Sequence, residues 1–109
     1  MTTRYEIFFR LNARSDLLSI YKHIAKAVAP KTAGSFVLGI EEFCRGLTQF
    51  PQRGIVRPGM RPGTRLAFYR RQVTISYFID EENKRIVILE ILGKGRDFEA
   101  ALGIKNKNG

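Results

Sequence analysis

The sequence predicts an α+β fold in the order β-α-α-β-β-β: an N-terminal strand, an antiparallel helical hairpin, then a three-stranded antiparallel meander. Three observations point to it. Apolar residues alternate at the start of the chain. They recur at helical spacing from Leu17 to Phe50. They then return in three strand-like runs after a loop rich in Gly and Pro.

Taken in order, "RYEIFFRL" sets Tyr5, Ile7, Phe9 and Leu11 against Arg4, Glu6, Phe8 and Arg10, a strand with one strongly apolar face. Asn12 or Ser15 is expected to cap the first helix. Its stripe is Leu17, Ile20, Tyr21, Ile24 and Val28, with Lys22 and Lys26 on the far side, and Ala29-Pro30 ends it. Thr32 is the expected cap of the second helix. Ala33, Phe36, Val37, Ile40, Phe43, Cys44, Leu47 and Phe50 form its broad apolar stripe, which Pro51 closes. Gly39 and Gly46 lie on one flank a heptad apart and are expected to admit the first helix closely. The strand signals are "TRLAFYRR", "VTISYFID" with Val73, Ile75, Tyr77 and Ile79 on one face, and "RIVILEIL", separated from its predecessor by the polar turn "DEENK". The last is nearly continuous in branched residues, as a strand covered on both faces should be. The first strand then pairs at an edge or beside the last one. The helices cover one sheet face and leave the other free for a partner. A short helical turn is expected at Asp97 to Leu102, and a frayed polar tail at 103–109.

The 109 residues fit one domain, 1–109, and an apolar content of 44% is ordinary. The charge is not: 19 basic residues face 10 acidic ones, a formal balance of +9, which points to a polyanionic or acidic partner. One cysteine, Cys44, cannot form an internal disulfide, and no Cys/His cluster suggests a metal. No cofactor motif occurs. The apolar runs are too short for a signal peptide or a membrane span, so the expectation is a cytoplasmic protein with no membrane partner.

Charge is concentrated in one place. Pro51 to Gln72 holds six arginines and no lysine or acid, and no acid occurs from Phe43 to Ile79. A solvated surface is the ordinary fate of such a run. Here, however, the excess is one-signed and entirely arginine, whose planar fork suits bidentate pairing with carboxylate or phosphate. Arg57, Arg61, Arg65, Tyr69, Arg70, Arg71 and Arg96 are therefore the candidate partner-binding residues. Phe68, Tyr69 and Phe78 are aromatic candidates for anchoring, with core packing expected for at least two of them.

The ordered pieces "YEIFFRLNARSDLLSIYKHIA", "AGSFVLGIEEFCRGLTQFPQRG", "RLAFYRRQVTISYFID" and "RIVILEILGKGRD" resemble toxins of the ParE/RelE superfamily from bacterial type II toxin–antitoxin modules. The long helical hairpin and the "FPQRG" junction look closer to the ParE branch. The resemblance implies a RelE/ParE-like sheet backed by a helical hairpin. It also implies an acidic cognate antitoxin lying as helix or strand across the sheet face. In the ParE branch the implied target is DNA gyrase. In the RelE branch it is mRNA, cut in the ribosome. Many members carry a histidine just before the Gly-Arg-Asp segment, where this chain has Gly93.

Cutting RNA through its 2′-hydroxyl needs a base, an acid and cations. Only the cations are plentiful. His23 falls on the polar side of the first helix. Tyr69 and Tyr77 are candidate acids, but tyrosine as a residue type is a weak one at neutral pH. Glu90 is expected to pair with an arginine of a neighbouring strand. Cys44 lies in an apolar stripe, and Asp97 is expected to cap a turn or hold Arg96. No catalytic set is assigned. The expected function is a toxin that inhibits gyrase without chemistry of its own. The alternatives are a ribosome-dependent endoribonuclease and a plain nucleic-acid-binding protein.

Overall fold

The computed structural model describes residues 4–56, 59 and 62–93. Strand β1 (Glu6–Phe9) leads into helices α1 (Leu11–Ala27) and α2 (Pro30–Gly46), a 3-10 turn at Pro51–Arg53, and strands β2 (Ile55–Val56), β3 (Thr64–Tyr69), β4 (Val73–Asp80) and β5 (Arg85–Gly93). The sheet runs β1-β5-β4-β3-β2. The expected antiparallel meander is β3-β4-β5. Two features modify the expectation. β1 lies beside β5 but parallel to it, so the sheet is mixed. The two-residue β2, read from sequence as loop, pairs antiparallel with β3 at the other edge. The short turn expected at Asp97 to Leu102 lies outside the described residues.

Both helices begin earlier than their polar residues suggested, and neither has a side-chain cap. The Arg10 amide still donates to Ile88 O at 3.0 Å, a last bond to the sheet, and the chain enters α1 at the next residue. Asn12 and Ser15 are thus inside the helix, not caps. Pro30, expected to end the first helix, occupies the first position of the second. Proline loses nothing there, because that N–H has no partner within a helix and its φ is already set. Thr32 therefore also lies inside.

The sheet face toward the helices forms the core. Ile24, Ile40, Cys44 and Leu47 from the helical layer meet Val73, Ile75, Tyr77, Ile86, Ile88 and Ile91, all at most 1% exposed. Ile7 and Phe9 pack against this core half-buried. Three residues expected on apolar faces lie outside it: Leu11 is 80% exposed at the start of α1, Val28 is 45% exposed just past its end, and Phe50 is 66% exposed beyond the end of α2. Burial pushes the Cys44 thiol up to about 12, the desolvation of a thiolate outweighing the nearby Arg45.

The phase of β5 depends on a bulge. Ser76 pairs with Glu90 and Tyr77 with Ile88, leaving Leu89 without a partner on β4. Strict alternation from Ile86 and Ile88 would bury Glu90. The extra residue instead sends Glu90 to the exposed face and Ile91 into the core. No ion pair of Glu90 occurs among the described residues, because the bulge faces it to solvent. β1 accompanies β5 only as far as Ile88. Beyond that point Asp16 of α1 accepts the Ile91 amide at 2.9 Å.

A second tie fixes the junction between α2 and β3. The Tyr77 hydroxyl donates to Pro51 O at 2.7 Å and accepts from the Gly54 amide at 3.0 Å. Arg65, its register partner on β3, donates from Nη1 to Gln52 O at 3.0 Å and Gly54 O at 2.9 Å. Gly54 is required by this close approach: a Cβ would run into the Tyr77 hydroxyl and the Leu66 carbonyl. Burial raises the Tyr77 phenol above its ordinary value, so it stays a donor at neutral pH.

The β4–β5 turn is held by carboxylates. Asp80 accepts from the Asn83 amide and side chain, and Glu81 accepts from Lys84 and from the Tyr5 hydroxyl, which ties the start of β1 to the turn. The Asn83 bonds hold Asp80 below its usual pKa, and the Lys84 and Tyr5 bonds do the same for Glu81. Their contribution is therefore present above the ordinary carboxylate range and is lost as pH falls through the lowered values.

Three outcomes are expected. Asp16→Ala leaves the Ile91 amide without its acceptor and should cost about 1–3 kcal/mol in urea unfolding. Tyr77→Phe removes both bonds to the 51–54 turn and should cost about the same, with m unchanged. Cys44 should resist a thiol reagent at pH 8 in the native protein and react fully once unfolded.

Candidate functional site

The arginine-rich segment divides structurally. Arg57 and Arg61 of the loop, and Arg96 after the sheet, lie outside the described residues. Arg65, Tyr69, Arg70 and Arg71 are described, and they do different things.

Arg65 faces the helical side of β3 with Ala67 and Tyr69, and its Nη1 is occupied by the 51–54 turn. The Arg65 fork thus serves the fold directly, whatever else it contacts.

Arg70 and Arg71 are the two central residues of the β3–β4 turn, closed by Gln72 N–H donating to Tyr69 O at 3.0 Å. Both have left-handed backbone, with φ of 52° and 62°. This is a type I′ turn, whose twist suits a hairpin and whose usual residues are Asn-Gly. An Arg-Arg pair there holds non-glycine residues at positive φ, at roughly 1–3 kcal/mol each. Both side chains are exposed.

Tyr69 fixes the base of this turn. Its ring meets Phe36 edge-on at 5.7 Å and Phe43 at 5.6 Å. Its hydroxyl end lies against Gly39, where a Cβ would collide with it. The expectation that Gly39 and Gly46 admit α1 is corrected here. Gly39 admits a strand tyrosine, and no described residue lies close enough to Gly46 for a side chain there to meet it. Arg70 stacks over Tyr69 at 5.2 Å and Arg53 over Phe43 at 4.9 Å. The result is a cation–ring–ring–cation ladder along the edge of α2. Arg53 was not among the sequence candidates, because nothing local in "PQRG" reveals a ring from another element.

The face of the sheet away from the helices is mixed. Phe68 and Phe78 lie on it, alternating with the core residues of β3 and β4, so of the three aromatic candidates only Tyr69 packs on the core. Phe8, Phe68 and Leu92 are 42%, 40% and 51% exposed. Arg85 stacks over Phe8 at 5.1 Å and reaches Asp80 at 3.5 Å. A groove of about 320 Å³ is lined by Arg10, Leu11, Asn12, Thr64, Ser76, Leu89 and Glu90. In it the hydroxyls of Thr64 and Ser76 are buried without a hydrogen-bond partner among the described residues.

The described proton-transfer candidates do not converge. His23 is exposed on α1, Cys44 is buried in α2 and Tyr77 is engaged with the 51–54 turn. Among the described residues no group of His, Cys, Asp and Glu could hold a metal ion, and no helix is long and apolar enough to cross a membrane.

Comparisons agree with this architecture. The chromosomal ParDE toxin–antitoxin system from P. aeruginosa superposes with a TM-score of 0.72 at 27% identity, covering 84% of this chain and 98% of that one. The RelBE2 toxin–antitoxin complex of Mycobacterium tuberculosis gives 0.59 at 26%, covering 84% and 99%. The intact E. coli RelBE complex, at 13% identity, 0.58, and 84% and 99% coverage, shares the fold. No curated protein matches the chain. The family described as "ParE toxin of type II toxin-antitoxin system, parDE" matches residues 7–98, nearly all of the sheet and both helices. By that match the chain belongs to the ParE toxin family of type II toxin–antitoxin systems.

Proposed function

We propose that the protein acts in the cytoplasm as a toxin that inhibits DNA gyrase, and that a cognate acidic antitoxin neutralises it. The family match over residues 7–98 carries this reading. The structural likeness points the same way, stronger to a ParDE system than to RelBE complexes. An antitoxin partner is supported because these relatives are toxin–antitoxin systems or complexes. The proposed contacts for partners are Arg65, Tyr69, Arg70 and Arg71, together with Arg57, Arg61 and Arg96 beyond the described residues. The sheet face bearing Phe8, Phe68 and Leu92 offers apolar area for an antitoxin helix or strand. A non-enzymatic mechanism also suits the scattered positions of His23, Cys44 and Tyr77.

The test is a gyrase supercoiling assay with purified toxin, paired with primer extension on cellular mRNA after induction. Inhibition near equimolar toxin, with cleaved DNA accumulating and reversal by the antitoxin, is the expected result. Codon-phased mRNA cuts with gyrase unaffected would replace the proposal with the endoribonuclease reading.

A further inference from the structure

We infer that the β3–β4 hairpin tip, Arg70-Arg71, is a contact element for the phosphodiester backbone of duplex DNA. The inference deepens the reading of a toxin acting on a DNA-handling enzyme and rests on it for its biological setting.

Four observations converge on the tip. Its two residues sit at φ of 52° and 62°, where Asn-Gly would be relaxed and arginine is not. Conformational preference therefore does not explain the pair. Both side chains are exposed, and neither makes an ion pair with a described residue. The tip is also stiffened from below. Tyr69 is wedged against Phe36, Phe43 and the Gly39 backbone, and Arg70 lies over its ring. A stacked guanidinium has fewer rotamers to lose when it meets an anion, so less of its binding energy goes into ordering. Finally, no acidic residue occurs between Phe43 and Ile79, so no carboxylate on β3, or on β4 before Asp80, competes for the forks.

Shape favours DNA over an acidic peptide. An extended peptide needs a groove or an open strand edge. The tip is the exposed turn end of a two-stranded ribbon, an element that the major groove of B-form DNA can admit. Two guanidiniums at its end can bridge neighbouring phosphates.

The experiment measures fluorescence anisotropy of a labelled 20-base-pair duplex against salt, with gyrase absent, so that its outcome is independent of the gyrase assay. Four proteins are compared: the natural chain, R70N/R71G, R70Q/R71Q, and K22Q/K26Q, which removes the same charge from the exposed side of α1. Both tip variants should bind at least about tenfold more weakly, with a log–log salt slope shallower by about 1.8, the loss of two phosphate contacts. R70N/R71G should at the same time melt about 4 °C or more higher, because the turn is relaxed. K22Q/K26Q should lose much less affinity. An equal loss in K22Q/K26Q would show general charge attraction and overturn the inference. So would unchanged affinity and slope in both tip variants. Poly-glutamate binding that depends on the tip, with DNA binding unaffected, would also overturn it and assign the forks to an acidic protein.

Discussion

The extra residue in β5 sets the arrangement of much of this fold. A strand with one face on a core must keep its phase, because a slip of one residue turns every side chain over. β5 changes phase at Leu89, and Ile91 thereby joins Ile86 and Ile88 in the core while Glu90 faces out. The same region is where β1 stops pairing and α1 takes its place, with the Asp16 carboxylate accepting the Ile91 amide. One inserted residue, one charged helix residue and one strand end therefore form a single solution. The central strand keeps its apolar core contacts and its backbone donor past the point where its parallel neighbour leaves it.

The other end of the helical hairpin is fixed by polar contacts in partly buried surroundings. Tyr77 and Arg65 face each other across β4 and β3, and both reach the 51–54 turn. An arginine that satisfies two carbonyls is partly occupied by the fold, however well its fork suits an outside anion. Among the described residues no carbonyl or carboxylate holds the arginines at the hairpin tip, and their backbone is held where other residues would be more relaxed. The positive charge of this chain thus has at least two physical roles, separated by only a few residues of one strand.

Among the described residues both helices lie on one side of the sheet, which leaves the other face to account for. Here that face carries Phe8, Phe68, Leu92, Arg85 and two buried hydroxyls, a mixture of apolar area and polar demand. Such a surface suits a protein partner better than bulk water.

The sequence by itself determined the order of the main elements, most of the two helical stripes and the inward face of β4. These follow from period, and period is local: Ile75, Tyr77 and Ile79 must share a side, and Leu17, Ile20 and Ile24 must share another. It also marked Arg65, Arg70 and Arg71 as unusual through charge alone. Tertiary structure decided what those residues do. Whether Arg65 turns in to a carbonyl pair depends on a turn 11 to 13 residues away in the chain. Whether Gly39 makes room for a helix or for Tyr69 depends on which element lies across from α2. The parallel pairing of β1, the two-residue β2 and the bulge at Leu89 were likewise beyond periodicity. Hydrogen-bond partners and register are set by residues far apart in the chain, and alternation along one segment carries no information about them.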